Sequence, residues 1–105
     1  MDTYAITAIE ALADPTRRKL FETLGAGSRS VSDLADAVPV SRPAVSQHLR
    51  VLERARLVMV RAEGRRRMYA LDPRGIGAAR DYLDGFWPAA ISAYARAVAS
   101  APVTG

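Results

Sequence analysis

The chain of 105 residues contains no cysteine. That excludes disulfides, thiol redox sensing, cysteine nucleophiles and thiolate metal sites. Histidine occurs once, at His48, so no imidazole cluster is available to hold a metal. There is no glycine-rich phosphate loop and no gathering of carboxylates on one face, which leaves an enzyme without a foundation. No apolar run approaches the length of a membrane span. The N-terminus, MDTYAITAIEALAD, carries acids and no basic start, unlike a signal peptide. The expectation is a cytoplasmic protein with no cofactor, no metal and no membrane partner.

Lysine is nearly absent too, Lys19 being the only one, so the positive charge is arginine. The formal net charge is +4, and it is unevenly placed. Between Ser41 and Arg67 stand Arg42, Arg50, Arg54, Arg56, Arg61, Arg65, Arg66 and Arg67, against Glu53 and Glu63 alone. The rest of the chain is therefore net acidic. A basic segment on an otherwise acidic chain is the electrostatic footprint of a nucleic-acid binder. Arginine suits bidentate contacts to phosphate or guanine better than lysine does. The length fits one domain, read as residues 1–100 with a disordered tail at 101–105.

The stretch SRPAVSQHLRVLERARL, from Ser41 to Leu57, reads as a helix with two unlike faces. Val45, Leu49 and Leu52 recur at helical spacing and form an apolar stripe. Ser41 is the expected N-cap. Arg42, Pro43, Ser46, Gln47 and Arg50 lie on the outer face, which carries no acid until Glu53. Arg42 suits guanine O6/N7 and Gln47 suits adenine, while Ser41 and Ser46 suit phosphate or a thymine edge. Pro43 stiffens the first turn and can pack on a thymine methyl. His48 lies at the edge of the stripe. Packing or a phosphate hydrogen bond suits it better than catalysis, because Ser46 and His48 do not face each other on a helix.

Around this helix the pattern is regular. Thr3 to Ala13 reads as a helix with Ile6, Ile9, Leu12 and Ala13 on one side. Asp14-Pro15 opens a second, with Leu20, Phe21 and Leu24 inward, ending at Gly25. Arg17, Arg18 and Lys19 form a solvated face from which an arginine can reach a phosphate. GAGSRS reads as a loop, and Ser30 with Asp33 as a capping box for a third helix through about Val38. Its apolar positions are Val31, Leu34, Ala35 and Val38. A short turn at Pro39 joins it to the helix from Ser41, making a helix-turn-helix unit. Two short strands follow, Leu57 to Arg61 and Arg67 to Leu71, around a turn at Glu63-Gly64 with a cationic tip at Arg65 and Arg66. Alternation sends Arg65 and Arg67 to one side and Arg66 to the other. A last helical pattern runs from about Arg74 to Ser100, with a kink or break expected at Pro88.

The motifs LADPTRRKLFETL, SVSDLADAVPVSRPAVSQHLRVLERARLV and EGRRRMYALDP, in this order, resemble the ArsR (ArsR/SmtB) family of bacterial winged helix-turn-helix repressors. The likeness spans about Ala8 to Val98. It implies a mainly α fold with a small β-hairpin, forming a homodimer through the first and last helices and binding operator DNA. The candidate DNA-binding residues are then Ser41, Arg42, Pro43, Ser46, Gln47, His48, Arg50, Arg65, Arg66 and Arg67. The candidate dimer residues are Tyr4, Ile6, Ile9, Leu83, Phe86, Trp87, Ile91 and Tyr94. The family's founding members sense metals through a Cys-x-Cys-type site on the third helix or an Asp/His/Glu site on the last. Here the third helix reads Val31-Ser32-Asp33-Leu34-Ala35, and the last has no histidine. The expectation is a repressor that binds double-stranded DNA and does not respond to metals. The aromatic residues of the last helix suit a dimer core or, as the other reading, a pocket for an unidentified organic effector. A protein-docking winged helix would show an apolar or acidic recognition face, and an RNA binder an aromatic platform among its arginines.

Overall fold

Local capping sets where the helices begin. The computed structural model describes residues 3–100; the expected tail at 101–105 lies outside them. α1 (Thr3–Ala13) ends at Asp14, whose carboxylate accepts from the Arg17 amide at 2.9 Å and caps α2 (Pro15–Leu24). Pro15 occupies the first turn, where its missing N–H costs nothing. α3 (Val31–Asp36) opens on a full capping box: Ser30 Oγ accepts from the Asp33 amide, and the Asp33 carboxylate accepts from the Ser30 amide. α4 (Arg42–Arg54) is capped by Ser41, whose hydroxyl accepts from the Ala44 amide at 3.3 Å.

The strands differ from expectation in number and in bounds. Arg29–Ser30, read as loop, forms a two-residue strand, β1. It pairs antiparallel with β3 (Arg66–Leu71), which also pairs with β2 (Val58–Glu63), giving a three-stranded sheet in the order β1-β3-β2. The register sets Ser30 against Met68 and Glu63 against Arg66. The hairpin turn is therefore Gly64-Arg65, one residue later than expected. Gly64 has φ +64° and Arg65 does not have positive φ, the pattern of a type II′ turn that leads with glycine. α3 is shorter than expected, ending at Asp36 with Val38 beyond it, yet Val38 is buried.

The core collects Leu20, Leu24, Leu34, Val45, Leu49, Leu52, Leu57, Val58 and Tyr69. On α1 the residues turned to the core are Ala5, Ala8 and Ala11, while Ile6, half-buried, and Ile9, exposed, are the two isoleucines expected at a dimer interface. Small side chains let α1 lie close along the first half of α5 (Pro73–Ser100), where Gly75 and Ala79 are buried. α5 runs 28 residues without a break through Pro88. Pro88 and Asp84 are both exposed, so water can take the carbonyl that the proline leaves without a donor. α1 has only 11 residues, and the distal half of α5 extends past it. The molecule measures 63 × 30 × 21 Å, with a radius of gyration of 18.1 Å, against about 13 Å for a compact domain of this length.

Candidate nucleic-acid interface

The stripe Val45, Leu49 and Leu52 is buried, as expected, and this fixes which face of α4 looks outward. Ser41, Arg42, Pro43, Gln47 and Arg50 are exposed, and Ser46 and His48 are half-buried. α3 and the short turn after it hold α4 by its N-terminal end, and β2 follows directly from its C-terminal end.

The wing brings its arginines to this face unequally. Arg67 shares a cleft of about 240 Å³ with Ser46, Arg50 and Glu53 of α4, Val31 of α3 and Tyr69 of β3. Arg65 and Arg66 flank a neighbouring cleft of about 300 Å³ at the start of α3, with Arg67 again and Ser30 and Ser32. Arg66 also stands 3.7 Å from the Asp33 carboxylate. Strand β1 makes this contact feasible, since it ties the α3 N-terminus to the wing. Asp33 was legible as a capping residue; its second role was not, because the β1–β3 pairing left no pattern in two residues.

His48 Nδ1 lies 3.9 Å from the Asp14 carboxylate, which also caps α2. The Arg17 amide holds the Asp14 carboxyl below its ordinary value, with the charges of Arg17 and His48 contributing. The single histidine thus braces α4 against the start of α2. Arg17 turns away from this face: its Nε donates to the Ala11 carbonyl at 2.8 Å, and Arg18 reaches the Leu12 carbonyl. Both cross back over the α1 C-terminus, where cations are favoured. A phosphate-bracing role for Arg17 therefore competes with an existing bond.

The candidate dimer residues lie elsewhere. Leu83, Phe86, Trp87, Ile91 and Tyr94 are all exposed along α5 from its middle outward, Trp87 at 58% and Tyr94 at 72%. Trp87, Ala90, Ile91 and Tyr94 line an apolar groove of about 350 Å³. Tyr4 is half-exposed but engaged within the chain, its ring 3.9 Å beneath the Arg56 guanidinium. Among the described residues, no three of His, Asp and Glu gather to hold a metal ion, and no helix is long and apolar enough to cross a membrane.

A helix-turn-helix followed by an arginine-tipped wing defines a DNA-binding winged-helix protein. Residues 12–61 match the family model described as a helix-turn-helix domain. The chain is 54% identical, over 89% of its length and 87% of the relative's, to the HTH-type transcriptional regulator Rv2034 of Mycobacterium tuberculosis. Its fold superposes with TM-score 0.73 on the crystal structure of a "Possible transcriptional regulator for arsenical resistance", at 46% identity over 91% of this chain and 97% of that one. It also resembles the homodimeric winged helix-turn-helix DNA-binding domain Mb0332 from Mycobacterium bovis, a possible ArsR-family regulator. The TM-score there is 0.64, at 26% identity over 90% of this chain and 80% of that domain. The chain belongs to the ArsR/SmtB family of winged helix-turn-helix transcriptional regulators, which are DNA-binding proteins rather than enzymes.

Proposed function

We propose that this chain is a homodimeric repressor that binds an inverted-repeat operator through α4 and the wing, and that metals do not release it. The observation that carries the reading is the outward face of α4. Arg42, Pro43, Gln47 and Arg50 are exposed together, with Arg67 of the wing across a shared cleft from Ser46 and Arg50. The N-terminal half of such a helix presents base-reading side chains to a major groove, and the wing arginines lie where flanking phosphates or the minor groove would run. Occlusion of a promoter then represses transcription.

The dimer is supported by the bare apolar stripe of α5 and by the homodimeric state named for the Mycobacterium bovis domain. The absence of cysteine and of any histidine on α5 supports the expectation that the family's metal sites are not used. A pocket for an organic effector is the other reading of the groove at Trp87 and Tyr94, and packing of a second protomer is the one preferred.

Selection of bound sequences from random duplex DNA, at stated salt, tests the reading. The expected product is an inverted repeat, and Arg42→Ala and Gln47→Ala each relax one base position by roughly 1–3 kcal/mol of discrimination. Failure to enrich any sequence, or enrichment that these substitutions leave unchanged, contradicts it.

A further inference from the structure

Arg56 ends the recognition helix in a conformation that normally belongs to glycine. Its φ is +58°, the one positive value outside glycine among the described residues. The Leu57 amide donates to the Leu52 carbonyl at 2.9 Å and the Arg56 amide to the Glu53 carbonyl at 3.0 Å. These two bonds define a Schellman ending, whose left-handed position glycine fills most easily. An arginine there bears the steric cost of its Cβ, which a role for its side chain would explain.

That role is visible. The Arg56 guanidinium lies 3.9 Å over the Tyr4 ring, and its Nη2 donates to the Tyr4 hydroxyl at 2.9 Å. The side chain therefore grips α1. The backbone of the same residue grips α5: the Arg56 carbonyl accepts from the Gly75 amide at 2.7 Å. The approach is so close that a Cβ on Gly75 would collide with the Ala55 and Arg56 carbonyls. Next along the chain, the Leu57 carbonyl accepts from the Asp72 amide at 2.9 Å. One residue joins the end of α4 to both helices of the proposed dimer seam.

We infer that Arg56 is a positioning residue for DNA binding, which fixes the recognition helix relative to α1 and α5 and so sets the half-site spacing the dimer accepts. The inference rests on the dimeric reading above. Glycine would keep the helix ending and the backbone bond to Gly75, and would lose the grip on Tyr4 and the charge that Arg56 sets near Asp72. The side chain is thus separable from the fold.

The test uses the full chain and duplexes carrying the selected inverted repeat, with its spacing altered in single base-pair steps, beside an isolated half-site. Wild-type protein should favour one spacing. Arg56→Gly should stay folded and dimeric by sedimentation and keep its half-site base preference. Its preference for the best spacing over the neighbouring ones should fall about fivefold or more. Tyr4→Phe, which removes the hydroxyl that accepts from Arg56 and keeps the ring, should lower the spacing preference by a smaller factor. Arg56→Lys, which retains a cation for the ring, should restore part of the preference. An Arg56→Gly protein with the wild-type spacing profile overturns the inference, as does one that binds every spacing weaker by the same factor. A wild-type protein with no spacing preference overturns the dimeric reading and this inference with it, whereas the first two results leave that reading standing.

Discussion

Arg66 and Arg67 are adjacent in sequence and different in charge environment. Arg67 opens onto the cleft it shares with Ser46 and Arg50, whereas Arg66 stands beside Asp33. An exposed pair of this kind contributes little to stability, but it changes the electrostatics of DNA binding. If Arg66 moves to a phosphate, it leaves Asp33 to gather a cation, and the counterions released from DNA are partly offset. Arg67→Ala should therefore flatten the salt dependence of DNA binding by about one unit of slope, and Arg66→Ala by much less. In an Asp33→Asn background Arg66→Ala should recover the full unit. Equal slopes for both alanine variants in the wild-type background would contradict this. Asp72 is the other residue whose charge is committed. Its side chain is 1% exposed, and it accepts from the Arg74 amide and from the Arg74 guanidinium at 2.7–3.1 Å. The Arg74 side chain, chiefly, holds the Asp72 carboxyl below its ordinary value of 3.8. A carboxylate with a depressed pKa contributes stability that is fully present above its unfolded value and is lost as pH falls through the folded one. Thermal unfolding should thus show a midpoint that drops once pH falls below about 3.8, and Asp72→Asn should lower the midpoint at neutral pH while weakening that acid-side drop. An unchanged acid limb in the variant would assign the loss to other groups, of which Asp14 is the next candidate.

At the scale of elements, most of the helical frame was legible and the reasons are local. Asp14-Pro15, the Ser30–Asp33 box and Ser41 each place a hydrogen-bond acceptor where a helix start needs one, so the boundaries followed from chemistry within three residues. The buried stripe of α4 followed from spacing alone. Strand β1 was not legible, because a two-residue strand exists only through its partner and carries no alternation of its own. The alanine face that α1 turns toward the core was not legible, since small side chains carry little hydrophobic signal, and Ile6 and Ile9 were assigned to the dimer interface. Leu83, Phe86, Trp87, Ile91, Tyr94 and Val98 are each roughly half exposed or more. Together they offer on the order of 700 Å² of apolar surface, near the ~800 Å² each partner brings to a standard interface and above what a monomer usually leaves bare. Trp87→Glu should convert the protein to a monomer by sedimentation, with the helical content of residues 3–86 retained and DNA affinity reduced. A dimer that survives this substitution would move the interface off the distal half of α5.

The whole molecule is an arginine face held at one end of a long, partly bare helix, and the two regions do not overlap. The frame that joins them includes the bonds of Arg56 to Tyr4 and to Gly75. On the proposed reading metals do not release the protein, because the chain has no cysteine and its one histidine lies on α4 beside Asp14 rather than on α5. Micromolar zinc or arsenite should accordingly leave operator binding unchanged in chelator-treated buffer, and stoichiometric, chelator-reversible release by zinc would reveal a ligand set that this fold does not display. The central claim, that two such faces act together on DNA, is tested most directly by sedimentation of the protein with its selected duplex. The account predicts two protomers per duplex on an inverted repeat whose half-site centres lie about 10 base pairs apart or a multiple of that, with protection on both halves. A single protomer protecting one asymmetric half-site would contradict it.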